Sequence, residues 1–198
     1  MSDSSQTPPP SEVSDLAAAC VRFVQGALDF TLDYSAETLP VLDHYLREQV
    51  RSAHAEATDL VASAAGAYFG EVVRRRIAGA RWHCPAGDYA SFRLEWEPFF
   101  LWLNPLGAAH EALAGTEVEG SNAHFQVLDE ARSEVERSLA ASGPVRGDDF
   151  YRLSVRLEAL EQVADVLIGL EQKQPKPRHF GPEVYAAASG KPARGAAS

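Results

Sequence analysis

The hydrophobic spacing changes twice along this chain, and that change constrains the fold more than any other feature. From Leu16 to Ile77 apolar residues recur every three or four positions. From Ala80 to Leu103 they recur about every two, and from Leu106 onward the longer spacing returns. A spacing near 3.6 lines one face of a helix, whereas a spacing of about two lines one face of a strand. The pattern predicts an α+β fold: about six helices packed on a small three-stranded antiparallel sheet.

Leu16, Cys20, Phe23, Val24, Ala27 and Leu28 predict a first helix capped by Ser14, followed by a short extended piece from Asp29 to Tyr34. Leu39, Leu42, Leu46 and Val50 mark a second helix. Pro40 fits its first turn, which makes Glu37 or Thr38 the cap. A third helix runs from Thr58 or Asp59 to Gly79, with Val61, Ala65, Tyr68, Val72 and Ile77 on one side. Gly66 and Gly70 sit one turn apart in it. Glycine costs about 1 kcal/mol against alanine inside a helix, so the pair predicts a close backbone approach by another element. Arg74, Arg75 and Arg76 crowd its last turns, where cations suit the helix dipole.

Ala80–Cys84, Tyr89–Trp96 and Phe99–Leu103 read as strands, with a turn over Pro85–Asp88. Phe92, Leu94 and Trp96 fall on one face of the second strand, Arg93 and Glu95 on the other. Asn104 then caps a helix with Pro105 at its first position, ending at Gly115. A further helix starts near Asn122 and carries Phe125, Leu128, Ala131, Val135 and Leu139. The last helix follows Asp148, with Phe150, Leu153, Leu157, Leu160, Ala164 and Leu167 as a narrow seam. Val163, Val166 and Leu170 add a second stripe, so its end is buried on two sides. That makes it a candidate surface for a homodimer.

A chain of 198 residues, 45% of them apolar, can build one ordinary core. The single domain is placed at 13–172. Residues 1–12, rich in Ser and Pro, and the basic Pro/Gly/Ala-rich residues 173–198 read as disordered tails. The net charge is −10; the C-terminal tail holds five cations and one carboxylate, and residues 1–12 hold two carboxylates, which leaves −12 on the domain. Nucleic-acid binding needs a basic face, so no nucleic-acid partner is expected. An acidic body instead suits a protein partner with a basic surface. No secretory pattern opens the chain, and no run approaches the roughly 18 apolar residues of a membrane helix. The expected location is therefore cytoplasmic, with Cys20 and Cys84 as reduced thiols.

Motifs that carry chemistry are incomplete. His83 and Cys84 are neighbours, so on a strand they diverge. His110-Glu111 begins H-E-x-x-H, but position 114 is alanine. Neither a metal nor a cofactor is expected. Glu71 lies one turn from Arg74 and Arg75, which predicts an ion pair that also holds the helix against the sheet. Trp82, Tyr89, Trp96 and Trp102 cluster in a short stretch and are the candidate partner-binding residues, because such aromatics dominate binding hot spots. The composition favours a non-enzymatic interaction module, an adaptor or immunity-type protein. The alternative is a small enzyme with a site near Glu71, His83 and His110.

Asp33-Tyr34-Ser35, Glu37, Leu39 and Leu42-Asp43 form a D-Y-S-x-E-x-L-x-x-L-D segment. Gly66, Tyr68, Gly70 and Glu71 form a G-x-Y-x-G-E helix, followed by Trp82 on a strand and later by Asn104-Pro105. This set resembles a family of uncharacterised bacterial proteins over roughly residues 29–115. The resemblance supports the fold sketch, treats Tyr34, Gly66, Tyr68, Gly70, Glu71, Asn104 and Pro105 as structural motif residues, and implies no mechanism.

Overall fold

The computed structural model describes residues 8–50, 55–147 and 149–189. Among these are seven α-helices: α1 (Ser11–Leu28), α2 (Leu39–His44), α3 (Ala55–Arg76), α4 (Pro105–Ala114), α5 (Asp129–Ala141), α6 (Leu153–Gln172) and α7 (Pro182–Ser189). Four strands, β1 (Ala80–His83), β2 (Arg93–Trp96), β3 (Leu101–Leu103) and β4 (Gln126–Val127), form one sheet in chain order. Every neighbouring pair is antiparallel, with Arg81 opposite Glu95, Glu95 opposite Trp102 and Trp102 opposite Gln126. The fold is α+β, as the spacing implies, with a fourth strand and a seventh helix beyond the expected count.

The sheet has two unlike faces. Trp82, Leu94, Trp96, Leu101 and Leu103 point inward to the main core, where α3 packs between α1 and α4. Arg81, His83, Arg93, Glu95, Trp102 and Gln126 share the outer face.

Several boundaries differ from the expected ones. α1 begins at Ser11, with Pro10 at the cap position, and Ser14 lies inside it, its hydroxyl donating to the Pro10 carbonyl at 3.3 Å. Ser11 and Glu12 therefore belong to the domain. Phe125 and Leu128 are not helical: β4 pairs with β3 there, and α5 starts at Asp129. The i, i+3 spacing of Phe125 and Leu128 favours a helix, and pairing with the β3 edge overrides it. Asp148 lies outside the described residues. Asp43 holds the N-terminus of α6: its carboxylate accepts from the Leu153 amide (2.7 Å), the Ser154 amide (3.1 Å) and the Ser154 hydroxyl (2.6 Å). Burial pushes this carboxyl above its ordinary range, against the pull of those three donors.

The C-terminal segment is the largest departure. Residues 173–189 are not a loose tail: Phe180 and Tyr185 are buried with Phe100 in a second, smaller core. Average composition hides this, because two aromatic side chains bring roughly 150–250 Å² of buried area each to an otherwise polar segment.

Candidate functional site

The motif residues converge on α3 and lock it to three neighbours. A Cβ on Gly66 would lie 2.4 Å from the Leu106 Cα and 2.7 Å from the Pro105 carbonyl oxygen, so the bare backbone admits the start of α4. At Gly70 a Cβ would lie 2.3 Å from the Trp82 ring. That ring donates from Nε1 to Glu71 Oε1 at 2.8 Å. Glu71 is buried and also accepts from Arg74 Nε (2.8 Å) and Nη2 (2.9 Å), with Arg75 at 3.9 Å. The Asn104 side chain accepts from the Leu106 and Gly107 amides (2.9 and 3.1 Å) and donates to the Ala90 carbonyl (2.9 Å).

Tyr34 sits at φ 64°, a left-handed backbone that bulky residues avoid. Three contacts hold it: its amide donates to the Tyr68 hydroxyl at 2.8 Å, its ring stacks on Tyr68 at 4.7 Å, and the Arg75 guanidinium lies 4.0 Å above it. The same Tyr68 hydroxyl shares a hydrogen bond with Thr38 (2.9 Å), whose hydroxyl reaches Asp33 at 3.2 Å. The D-Y-S segment, α3 and β1 thus form one connected polar cluster at the border of the core.

The four aromatic candidates do not form one surface. Trp96 is fully buried in the main core and cannot touch a partner. Trp82 is half-buried against Gly70 and Glu71. Tyr89 is exposed on the turn before β2, and Trp102 is half-buried on the outer sheet face, with Arg93 5.8 Å from its ring centre. Strand alternation sends Trp96 and Trp102 to opposite faces: the main core buries the first, and the second packs beside Phe100, Phe180 and Tyr185.

Glu71, His83 and His110 also share no hollow. Glu71 pairs with inward-facing Trp82, and His83 lies on the outer face. Burial, then the neighbouring Arg93, pulls the His83 imidazole below its ordinary value. His110 lines a cleft of about 220 Å³ with Ser63, Tyr89, Asn104 and Ser121, and burial lowers it as well. Glu111, next to His110, is fully buried and accepts from Arg156 (2.5 Å) and the Ser121 hydroxyl (2.7 Å). Among the described residues no three His, Cys, Asp or Glu side chains are grouped so as to hold a metal ion. Burial pushes the Cys20 and Cys84 thiols up to about 12, so neither is a ready nucleophile.

A second site emerges on the outer face. Glu95, buried there, is gripped by Arg93 (2.7 Å) and Arg81 (3.1 Å). Arg81 Nη2 also donates to the Phe180 carbonyl at 2.9 Å, and its Nη1 lies 3.3 Å from Glu97 without hydrogen-bond geometry. Tyr185 stacks on Phe100 with ring centres 4.7 Å apart and an interplanar angle of 9°, and Phe180 meets Phe100 edge-on at 6.0 Å. The Tyr185 hydroxyl donates to the Trp96 carbonyl (2.6 Å) and accepts from the Leu101 amide (3.2 Å). Burial pushes that hydroxyl up to about 12. Arg178 forks onto Glu171 (2.9 and 2.5 Å) and reaches Glu130 at 2.6 Å. Arginine, phenylalanine and tyrosine at 178, 180 and 185 were the available signal in the sequence; the tail's composition masked it.

One family match covers the N-terminal part of this arrangement. Residues 1–96 match the family of unknown function DUF6278. No curated protein and no solved structure matches the chain. The D-Y-S segment, the glycine helix, Glu71 and Trp82 fall inside the matched residues, whereas Asn104, Pro105 and α4 to α7 lie beyond them. Asp43, inside the match, caps α6, which lies outside it. Among the described residues no helix is long and apolar enough to cross a membrane.

Proposed function

We propose that this protein is a non-enzymatic interaction module, of adaptor or immunity type, that binds a protein partner with a basic surface. The observation that carries this reading is the hold of Glu130 on α5 and Glu171 on α6 on the guanidinium of Arg178. This intrachain ion pair supports the reading, because carboxylates on the two helices converge on one cation. The buried carboxylates support the same reading, because each already has an internal duty. Asp43 caps α6, Glu71 holds Trp82 and Arg74, Glu95 holds Arg81 and Arg93, and Glu111 holds Arg156. Further acidic side chains stand on the solvent-facing sides of α5 and α6: Asp129, Glu130, Glu136, Glu158 and Asp165 exposed, and Glu134, Glu161 and Glu171 half-buried.

Exposed charges act through solvent and are screened over roughly 8–10 Å at physiological salt. Capture from the native host extract on the full chain, followed by titration of the purified partner, tests the reading. The dissociation constant is expected to weaken steadily from about 0.05 to 0.5 M salt and on charge reversal at Glu134 and Glu158. A partner whose affinity ignores both salt and charge reversal would overturn it.

A further inference from the structure

We infer that the outer sheet face, between β2–β3 and the end of α6, is a docking surface for a segment of defined pattern. The pattern is an arginine, a phenylalanine two residues later and a tyrosine on a short helix five residues beyond. The chain's own Arg178, Phe180 and Tyr185 occupy the surface in cis, and a partner segment with the same chemistry takes their place. This inference rests on the interaction-module reading and names the surface and the partner segment.

Four observations carry it. First, the receiving surface belongs to the body of the domain: Arg81 lies on β1, Glu97 and Phe100 in the connection between β2 and β3, Glu130 on α5 and Glu171 on α6. The main core is a separate cluster that includes neither Phe180 nor Tyr185. Second, the occupant is joined to α6 only through residues 173–177, which include Pro175 and Pro177. Third, α7 has eight residues. A helix shorter than about 12 residues is marginal in water without a surface to pack on, so its order derives from docking.

Fourth, the contacts follow the plan of a protein interface. A flat aromatic anchor is stacked on Phe100, and a forked arginine is held by two carboxylates. Two hydrogen bonds tie the backbone at Phe180, its amide donating to the Glu97 carbonyl (3.0 Å) and its carbonyl accepting from Arg81 (2.9 Å). Stacked aromatics and arginine are the groups that concentrate binding energy at interfaces. The surface is also complementary in charge, because Glu130 and Glu171 face Arg178 of the segment.

A short tether keeps the cis segment at an effective concentration of about 1 mM. A partner segment must outcompete that, so the closed chain binds more weakly than an opened one. The probe is a fluorescein-labelled synthetic peptide of residues 174–189, read by anisotropy. The proteins are the full chain and its Phe180→Ala, Tyr185→Ala double variant. The opened variant should bind the peptide at least about tenfold tighter than the unaltered chain. Adding Phe100→Ala to that variant should remove binding, and a peptide with Tyr185→Ala should lose about tenfold.

Equal affinity for the closed and opened chains would overturn the inference. So would no saturation below about 1 mM with helical circular dichroism intact. If the opened variant does not fold, hydrogen exchange on the unaltered chain decides: α7 amides must exchange much faster than those of α3. Protection of α7 equal to that of α3 would sink the inference. Retention of a basic, salt-sensitive partner alongside a failed peptide would leave the interaction-module reading standing and remove only this surface.

Discussion

Replacing Gly70 with alanine adds one methyl group in the middle of α3, and the structure shows what it would strike. Its Cβ would lie 2.3 and 2.4 Å from two carbons of the Trp82 ring and 3.1 Å from Pro105 Cγ. Carbon atoms in contact sit about 3.5–4.0 Å apart, so the ring must retreat by more than about 1 Å. It cannot do so freely, because Nε1 is tied to buried Glu71 at 2.8 Å. Overpacking a tight site costs about 1–3 kcal/mol, and breaking a hydrogen bond to a charged group costs about 1.5–3 kcal/mol. Alanine returns about 1 kcal/mol through helix propensity. The net is a loss of about 3 kcal/mol, measured by urea denaturation followed through tryptophan fluorescence and circular dichroism. In a Trp82→Ala background the ring is absent, so Gly70→Ala should turn neutral or stabilising by up to about 1 kcal/mol. Gly26, where an added Cβ meets nothing within 4 Å, serves as the control, with an expected gain of about 0.5 kcal/mol. If Gly70→Ala matched or exceeded the parent in both backgrounds, the close-approach reasoning would fail.

Two further outcomes follow from buried polar groups. Asp43→Ala strips the cap from α6 and leaves the buried Leu153 amide without its acceptor, an expected loss of about 2 kcal/mol, while Ser154→Ala removes one of the three bonds and should cost less than half as much. His83 and His110 are both held below their ordinary value of 6.5, the first by burial beside Arg93 and Arg81 against the pull of Glu95, the second by burial against the pull of Asp59. The unfolded chain therefore binds protons that the folded chain refuses. Urea stability should be level above pH of about 6.5 and fall below it, and a His83→Asn, His110→Asn chain should show a shallower fall between about pH 6.5 and 5; identical slopes for the two chains would refute the assignment.

The hydrophobic spacing by itself determined the class of the fold and most element types, because period and caps are local. Asn104-Pro105 specified a helix start that needs only its own next two amides, and the costly glycines Gly66 and Gly70 announced a close approach before its partner was known. Glu71 was legible as an ion pair for the same reason, its arginines lying within one turn. Tertiary structure decided everything that depends on residues far apart in the chain. Asp43 caps a helix 110 positions away, β4 exists only because β3 offers an edge, and Trp96 and Trp102 part ways according to which elements pack on each sheet face. The docking of Arg178, Phe180 and Tyr185 is of this kind too. No local pattern reveals that a Pro-rich segment will be ordered, because its stability resides in the carboxylates and the aromatic ring that receive it.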